Sequence, residues 1–156
     1  MITHMKHEHE FTLWVVVMTL GIHFLEEYAL GLRGWLEYGL AVPVTWEQCH
    51  LVNVAVTLAA VGGAMVGWRA PALALLMPAV VIINAIGFHL AFSIIWQQYS
   101  PGTVTAVLLF VPAGLWAFVG ASRDGVLMSR TIWGAAGGAV LLHAYLLWFH
   151  LMGPPG

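Results

Sequence analysis

The stretch from Phe11 to Leu32 reads FTLWVVVMTLGIHFLEEYALGL. It is long and apolar enough to cross a bilayer as a helix, which takes about 20 residues. Yet its second half carries His23, Glu26 and Glu27. An acidic side chain at the centre of a membrane helix costs ~2.5–3.5 kcal/mol, and an ionised pair roughly twice that. Packing alone does not require this expense. The sequence therefore calls for a compensating partner, either a bound cation or shared protons.

The rest of the chain repeats the apolar pattern. It has 156 residues, of which 61% are hydrophobic and only 8% charged, against about 25% charged in an ordinary soluble domain. Five apolar segments follow one another: Phe11–Leu32, Trp46–Trp68, Ala72–Gln98, Val104–Ala121 and Thr131–Met152. Turn or charge signals separate them, as at Arg69-Ala70-Pro71, Ser100-Pro101-Gly102 and Ser122-Arg123-Asp124-Gly125. In lipid only helices and closed barrels satisfy the backbone, and unbroken apolar runs exclude the barrel. The expected fold is all-α, an integral membrane bundle of five transmembrane helices. Residues 1–10 are expected to form a polar tail and residues 11–152 one domain. His4, His7 and His9 read as part of a solvated tail, and no cleavable signal is expected in it. A net charge of −2 and five basic residues argue against nucleic acid as a partner. The lone Cys49 excludes an intrachain disulfide.

Orientation follows from the basic residues. Lys6, Arg69, Arg123 and Arg130 fall on the N-terminal side and only Arg33 on the other, so the N-terminus is expected in the cytoplasm. Trp35, Trp46, Trp96 and Trp148 would mark the outer interface, with Trp14, Trp68 and Trp133 at the inner one.

On this topology the intramembrane polar residues gather at one depth. His23, Glu26 and Glu27 lie in the outer half of the first helix and share a face at i, i+3 and i+4. His50 and Asn53 begin the second helix, again one face by spacing. His89 lies past the middle of the third, and Thr103 and Thr105 open the fourth. Asn84 and His89 should stand about 140° apart on an α-helix, which favours His89 over Asn84 for a small site. GxxxG pairs at Gly63/Gly67 and Gly134/Gly138 predict close helix packing at the inner end. Pro78 and Pro112 predict bends that open the outer end.

Imidazole and carboxylate together suit zinc, iron or manganese. The expected ligand set is His23, Glu26, Glu27, His50 and His89, holding one or two ions. Either Glu26 or Glu27, if not a ligand, would act as general base. Asn53, Asn84, Tyr99, Thr105 and His143 are the candidates to hydrogen-bond the ligands from behind. His150, near the interface, is read as incidental. Convergence of Glu26 with His50 is the geometric test of this set.

The string His23-Phe24-Leu25-Glu26-Glu27 resembles the motif of the HXXEE-domain family of small bacterial membrane proteins. The His89 helix and the string Tyr99-Ser100-Pro101-Gly102-Thr103-Val104-Thr105 are similar to that family as well. The resemblance implies a compact helical protein of a bacterial inner membrane, with the named residues at His23, Glu26 and Glu27. It implies no reaction.

Two classes of function fit. The first is a membrane metalloenzyme acting on a lipid-like substrate, with Leu32–Thr45 as a lid and entry from the lipid between the third and fourth helices. A metal-free variant would use the same groups as acid and base on an isoprenoid. The second is a cation or proton transporter, for which a homodimer would supply a further pathway.

Overall fold

The computed structural model describes residues 7–152, with side chains through Phe149. Five helices are long and apolar enough to cross a membrane: α1 Phe11–Ala29, α2 Trp46–Arg69, α3 Pro71–Ile95, α4 Thr103–Arg123 and α5, which runs Ser129–Met152. No strand occurs among the described residues. Several helix ends coincide with a readable signal. Gly31, at φ 73°, ends α1. Thr45 and Gln48 begin α2 with a reciprocal capping box, which satisfies two otherwise orphaned backbone donors. Pro71 opens α3 at its first turn, where its missing N–H is no loss.

The helices pack in alternating directions. Tyr28 on α1 meets Trp46 on α2 at 5.0 Å between ring centroids. At the other end of α1, Glu10 lies against Gly67. Helices α3 and α5 run parallel, with Gly134 beside Ala72 and Gly138 beside Leu76. Small residues line the core at that end, including Ala60, Ala64, Ala113, Ala117, Ala135 and Ala139. The bundle is therefore tight around its N-terminal end and has room for a cavity at the other.

Two helices contain π-helical stretches. In α3 the stretch Asn84–Leu90 is π-helical, and in α4 the stretch Ala106–Phe110 is too. Pro112 lies two residues after the second. It cannot donate a hydrogen bond, and its ring crowds the carbonyl one turn back. A short break at Leu75 answers Pro78 in the same way.

The N-terminal end holds an arrangement that the reading of a solvated tail does not anticipate. His9 donates its backbone N–H to Asp124 at 2.9 Å and its Nδ1–H to the same carboxylate at 2.7 Å. The Trp68 indole N–H adds a third bond at 2.8 Å, and Glu10 accepts from the Trp68 backbone at 2.7 Å. Trp68 is thus a buried packing residue, where composition suggested an interfacial one. His4 and Lys6 lie outside the described residues, as does the side chain of His150.

Candidate metal centre

One turn of α1 carries the HXXEE motif, and its two glutamates point to different places. Glu26 faces the start of α4. That helix begins at Gly102, which has no side chain to cap it. Glu26 supplies the cap from another helix, accepting from Thr105 N at 2.7 Å and Val104 N at 3.3 Å. Tyr99 also donates its hydroxyl to Glu26. Burial and the adjacent carboxylate push the Tyr99 phenol up to about 12. A carboxylate is well suited to a helix N-terminus, where unpaired N–H groups and the helix dipole both favour negative charge. This accounts for one of the two costly acids without a ligand.

Glu27 is turned inward. Its Oε1 lies 3.2 Å from His23 Nε2 and 3.7 Å from His89 Nε2. Both histidines are 2% exposed, so no bulk water compensates them. The potential ligand atoms of His23, Glu27 and His89 all lie within 4.8 Å of one another. Around a four-coordinate zinc with bonds near 2.0–2.1 Å, donor atoms sit roughly 3.3–3.5 Å apart. The two histidine–glutamate distances bracket that value, and a modest inward movement of one imidazole closes the set.

Each imidazole is held from behind. His23 Nδ1 meets Thr105 Oγ1 at 2.9 Å, and that hydroxyl donates its own proton to the Gly102 carbonyl at 3.2 Å. Thr105 must therefore accept, which places a proton on His23 Nδ1. In the neutral ring, Nε2 then presents a bare lone pair to the Glu27 carboxylate. Two acceptors at 3.2 Å repel unless something positive lies between them. His89 Nδ1 contacts Ser100 Oγ at 3.3 Å, and its buried Nε2 has no hydrogen-bond partner. Hydroxyls behind a ligating imidazole fix its orientation and tautomer in metal sites generally.

Gly102 closes the cluster from above. A Cβ there would lie 2.7 Å from Cε1 of both His23 and His89 and 3.1 Å from Glu27 Cγ. Its φ of 95° also disfavours any L side chain. Ser100 and Gly102 were not singled out as site residues from sequence, although both lie in the string that follows the His89 helix.

A cavity of about 400 Å³ opens beside the cluster. Leu20, Phe24, Val81, Phe88 and Phe110 make most of its wall apolar, while His23, Glu27, His89, Asn53, Asn84 and His143 supply polar points. Leu32, Trp35, Leu36, Leu40 and Val42 also line it, so the segment between α1 and α2 covers this space. Arg33 Nε steadies that segment by donating to the Val44 carbonyl at 3.0 Å.

The remaining candidates divide. Thr105 and Tyr99 reach His23 and Glu26 respectively. Asn84 and His89 line the same cavity, contrary to the α-helical reading that separates them. The cause is the π winding, whose i to i+5 bonding brings residues five apart towards one face. His50 does not join the cluster. It is exposed and stacks on Trp46 at 5.8 Å, lining a separate groove with Leu25 and Tyr28. Cys49 takes the inward position at that level, and His50 is about 100° further round the helix. Asn53, one turn from Cys49, lines both spaces. The expected convergence of Glu26 with His50 is therefore not found, and the convergence that exists joins His23, Glu27 and His89.

No curated protein and no solved structure matches the chain. A family model described as "Protein of unknown function with HXXEE motif" matches residues 14–117. The match runs from α1 into α4 and contains the whole His23–Glu27–His89 cluster together with Ser100, Gly102 and Thr105. On that match and on its motif at His23, Glu26 and Glu27, the chain belongs to the HXXEE family of proteins of unknown function.

Proposed function

We propose that this chain is an integral membrane enzyme whose His23, Glu27 and His89 hold one divalent transition metal ion beside a cavity for a lipid-soluble substrate. Five apolar helices support the membrane reading. Arg69, Arg123 and Arg130 at the N-terminal end, against Arg33 at the other, support a cytoplasmic N-terminus. The single observation that carries the metal is the unpartnered Nε2 of His89, buried next to a second imidazole nitrogen and a carboxylate.

Two histidines and one carboxylate form a donor set that zinc and non-haem iron(II) use, leaving coordination positions open. Such an ion would polarise a substrate oxygen or activate water or dioxygen. The protein's own part is defined by its side chains. Thr105 and Ser100 orient the two rings, Glu27 contributes the neutralising charge, and the apolar wall keeps bulk water out. Glu26 stands apart as the clamp between α1 and α4. One ion fits better than two, because the second carboxylate is committed to that clamp.

Elemental analysis of detergent-purified protein tests the reading. Near-stoichiometric zinc, iron or manganese is expected, lost in His89→Ala and Glu27→Gln and kept in His50→Ala. Metal-free wild-type protein would overturn it. The close His23–Glu27 pair would then favour acid–base chemistry with a shared proton.

A further inference from the structure

A second space borders the cavity. It is a groove of about 450 Å³ between α1 and α2. Tyr28 and Trp46 meet at one end of it, and Gly21 and Leu58 line the other. From Gly21 to Tyr28 is seven residues, a length of roughly 10 Å along the helix. A Cβ built on Gly21 would meet nothing within 4 Å, so the helices leave open space at that level. Leu25, Val54 and Leu58 complete the apolar lining, and all three are exposed. They lie on two of the helices long and apolar enough to cross a membrane. On such helices an exposed apolar face meets lipid tails, which are as apolar as leucine. The groove therefore faces hydrocarbon.

The groove and the cavity have Phe24, Glu27, Leu32, Cys49 and Asn53 in common. These five residues form the partition between the two spaces. Glu27 is one of them, and its Oε1 lies 3.2 Å from His23 Nε2. The lipid-facing groove thus ends at the cluster itself. Phe24, half-buried, is the bulkiest side chain of the partition. The way in expected from Pro78 and Pro112, between α3 and α4, is filled. A Cβ on Gly114 would lie 2.6 Å from Ile82 Cγ1 and 2.9 Å from the Pro78 carbonyl oxygen. Nearer the cluster, Ser93 Oγ on α3 meets Thr103 Oγ1 on α4 at 3.1 Å.

We infer that the groove between α1 and α2 holds the hydrocarbon tail of a chain lipid, whose polar end passes Phe24 and meets the cluster at Glu27. The tail never leaves an apolar environment, and only the polar end has to cross the partition. A compact substrate swallowed whole by the cavity would have no use for the groove. Gly21 is then the residue that keeps space for the chain, and Leu25, Val54 and Leu58 are its walls. This inference rests on the proposed substrate cavity and names the class of molecule that enters it.

The test uses the full chain in phosphatidylcholine vesicles, with and without chelator treatment. The probe is hexadecanol carrying a photoreactive diazirine next to its hydroxyl end. Val81 and Phe110 line the cavity and are buried from lipid, so adducts mapped there by mass spectrometry report entry. Gly21→Phe and Val54→Trp fill the groove without touching the cluster. Both are expected to lower the cavity adducts roughly tenfold, the effect of overfilling a packed space. Adducts on Leu108 and Leu141, exposed on other helices, are expected to stay unchanged. An isomer with its diazirine at the methyl end is expected to leave Val81 and Phe110 unmarked, because the tail stays in the groove. Cavity adducts that persist in either folded variant, or equal marking by the two isomers, overturn the inference and leave the cavity standing. A wild type without cavity adducts overturns the inference together with the substrate cavity. Absence of metal from the wild type counts against the metal centre alone, because labelling is read in chelated protein too.

Discussion

Glu26 and Glu27 are adjacent in sequence and serve different helices. Glu26 binds the backbone of Thr105 on α4 at 2.7 Å, while Glu27 lies 3.2 Å from His23 Nε2 and faces His89 on α3. One turn of α1 therefore ties down α4 and builds the cluster at once. Because His23 also bonds Thr105, the clamp and the cluster share a residue.

Exchanging the two acids for amides should separate these jobs. Glu26→Gln weakens the cap of α4 and is expected to cost about 0.5–2 kcal/mol, the range for losing a helix N-cap, while metal binding survives. Glu27→Gln is expected to abolish metal binding with a smaller effect on the metal-free melting temperature. Thermal unfolding in detergent, paired with elemental analysis, distinguishes the patterns. Metal retained in Glu27→Gln would contradict the assignment.

Gly102 should tolerate no side chain. Gly102→Ala drives a methyl into both imidazoles and imposes a left-handed backbone, costing at least ~1–2 kcal/mol before any clash is counted. Reduced melting temperature and lost metal are both expected. Gly87, where an added methyl would meet nothing within 4 Å, is the control. Gly87→Ala should leave metal content unchanged and leave stability the same or higher by about 0.5–1 kcal/mol.

In the proposed metal centre Thr105 would act only through His23, whose Nδ1 it meets at 2.9 Å. Thr105→Val removes the acceptor behind Nδ1 and frees the ring to rotate or change tautomer. Metal affinity should fall ~10–100-fold, as read by competition with a chromogenic chelator. Thr105→Ser keeps the hydroxyl and should bind nearly as well as wild type. Equal affinities for the valine and serine variants would remove the hydroxyl from the account.

Asp124 provides a pH signature at the opposite end. Burial acts to raise its pKa, but the bonds from His9 and Trp68 and the nearby His9 ring outweigh it and hold the carboxyl below its usual value. A carboxylate with a lowered folded pKa stabilises fully above its unfolded pKa of about 3.9 and loses that contribution as pH falls through the folded value. Asp124→Asn should therefore cost roughly 1.5–3 kcal/mol near neutrality, with the gap to wild type narrowing below about pH 4. A gap that stays constant on acidification would show that its charge is not involved.

The helical class and the five apolar segments were legible because lipid-compatible helices need long apolar runs, and the breaks at Pro71, Gly102 and Gly125 interrupt them. His23 and His89 were legible as candidates because imidazoles are rare in such runs. The choice between Glu26 and Glu27 was not. At i+3 and i+4 both lie near His23, and only the position of the α4 N-terminus assigns one to it. Asn84 was misplaced for a similar reason. The 3.6-residue period sets it away from His89, and π winding, which no local motif here announces, turns it back. His50 failed because spacing relates residues on one helix but does not say which face meets the neighbour.

Sequence alone therefore determined the helices and the inventory of polar groups within them, because both depend on local composition and periodicity. The tertiary structure decided which groups meet. That depends on helix rotation, on the π turns and on the close approach of Gly102, and each of these is set by contacts between residues far apart in the chain.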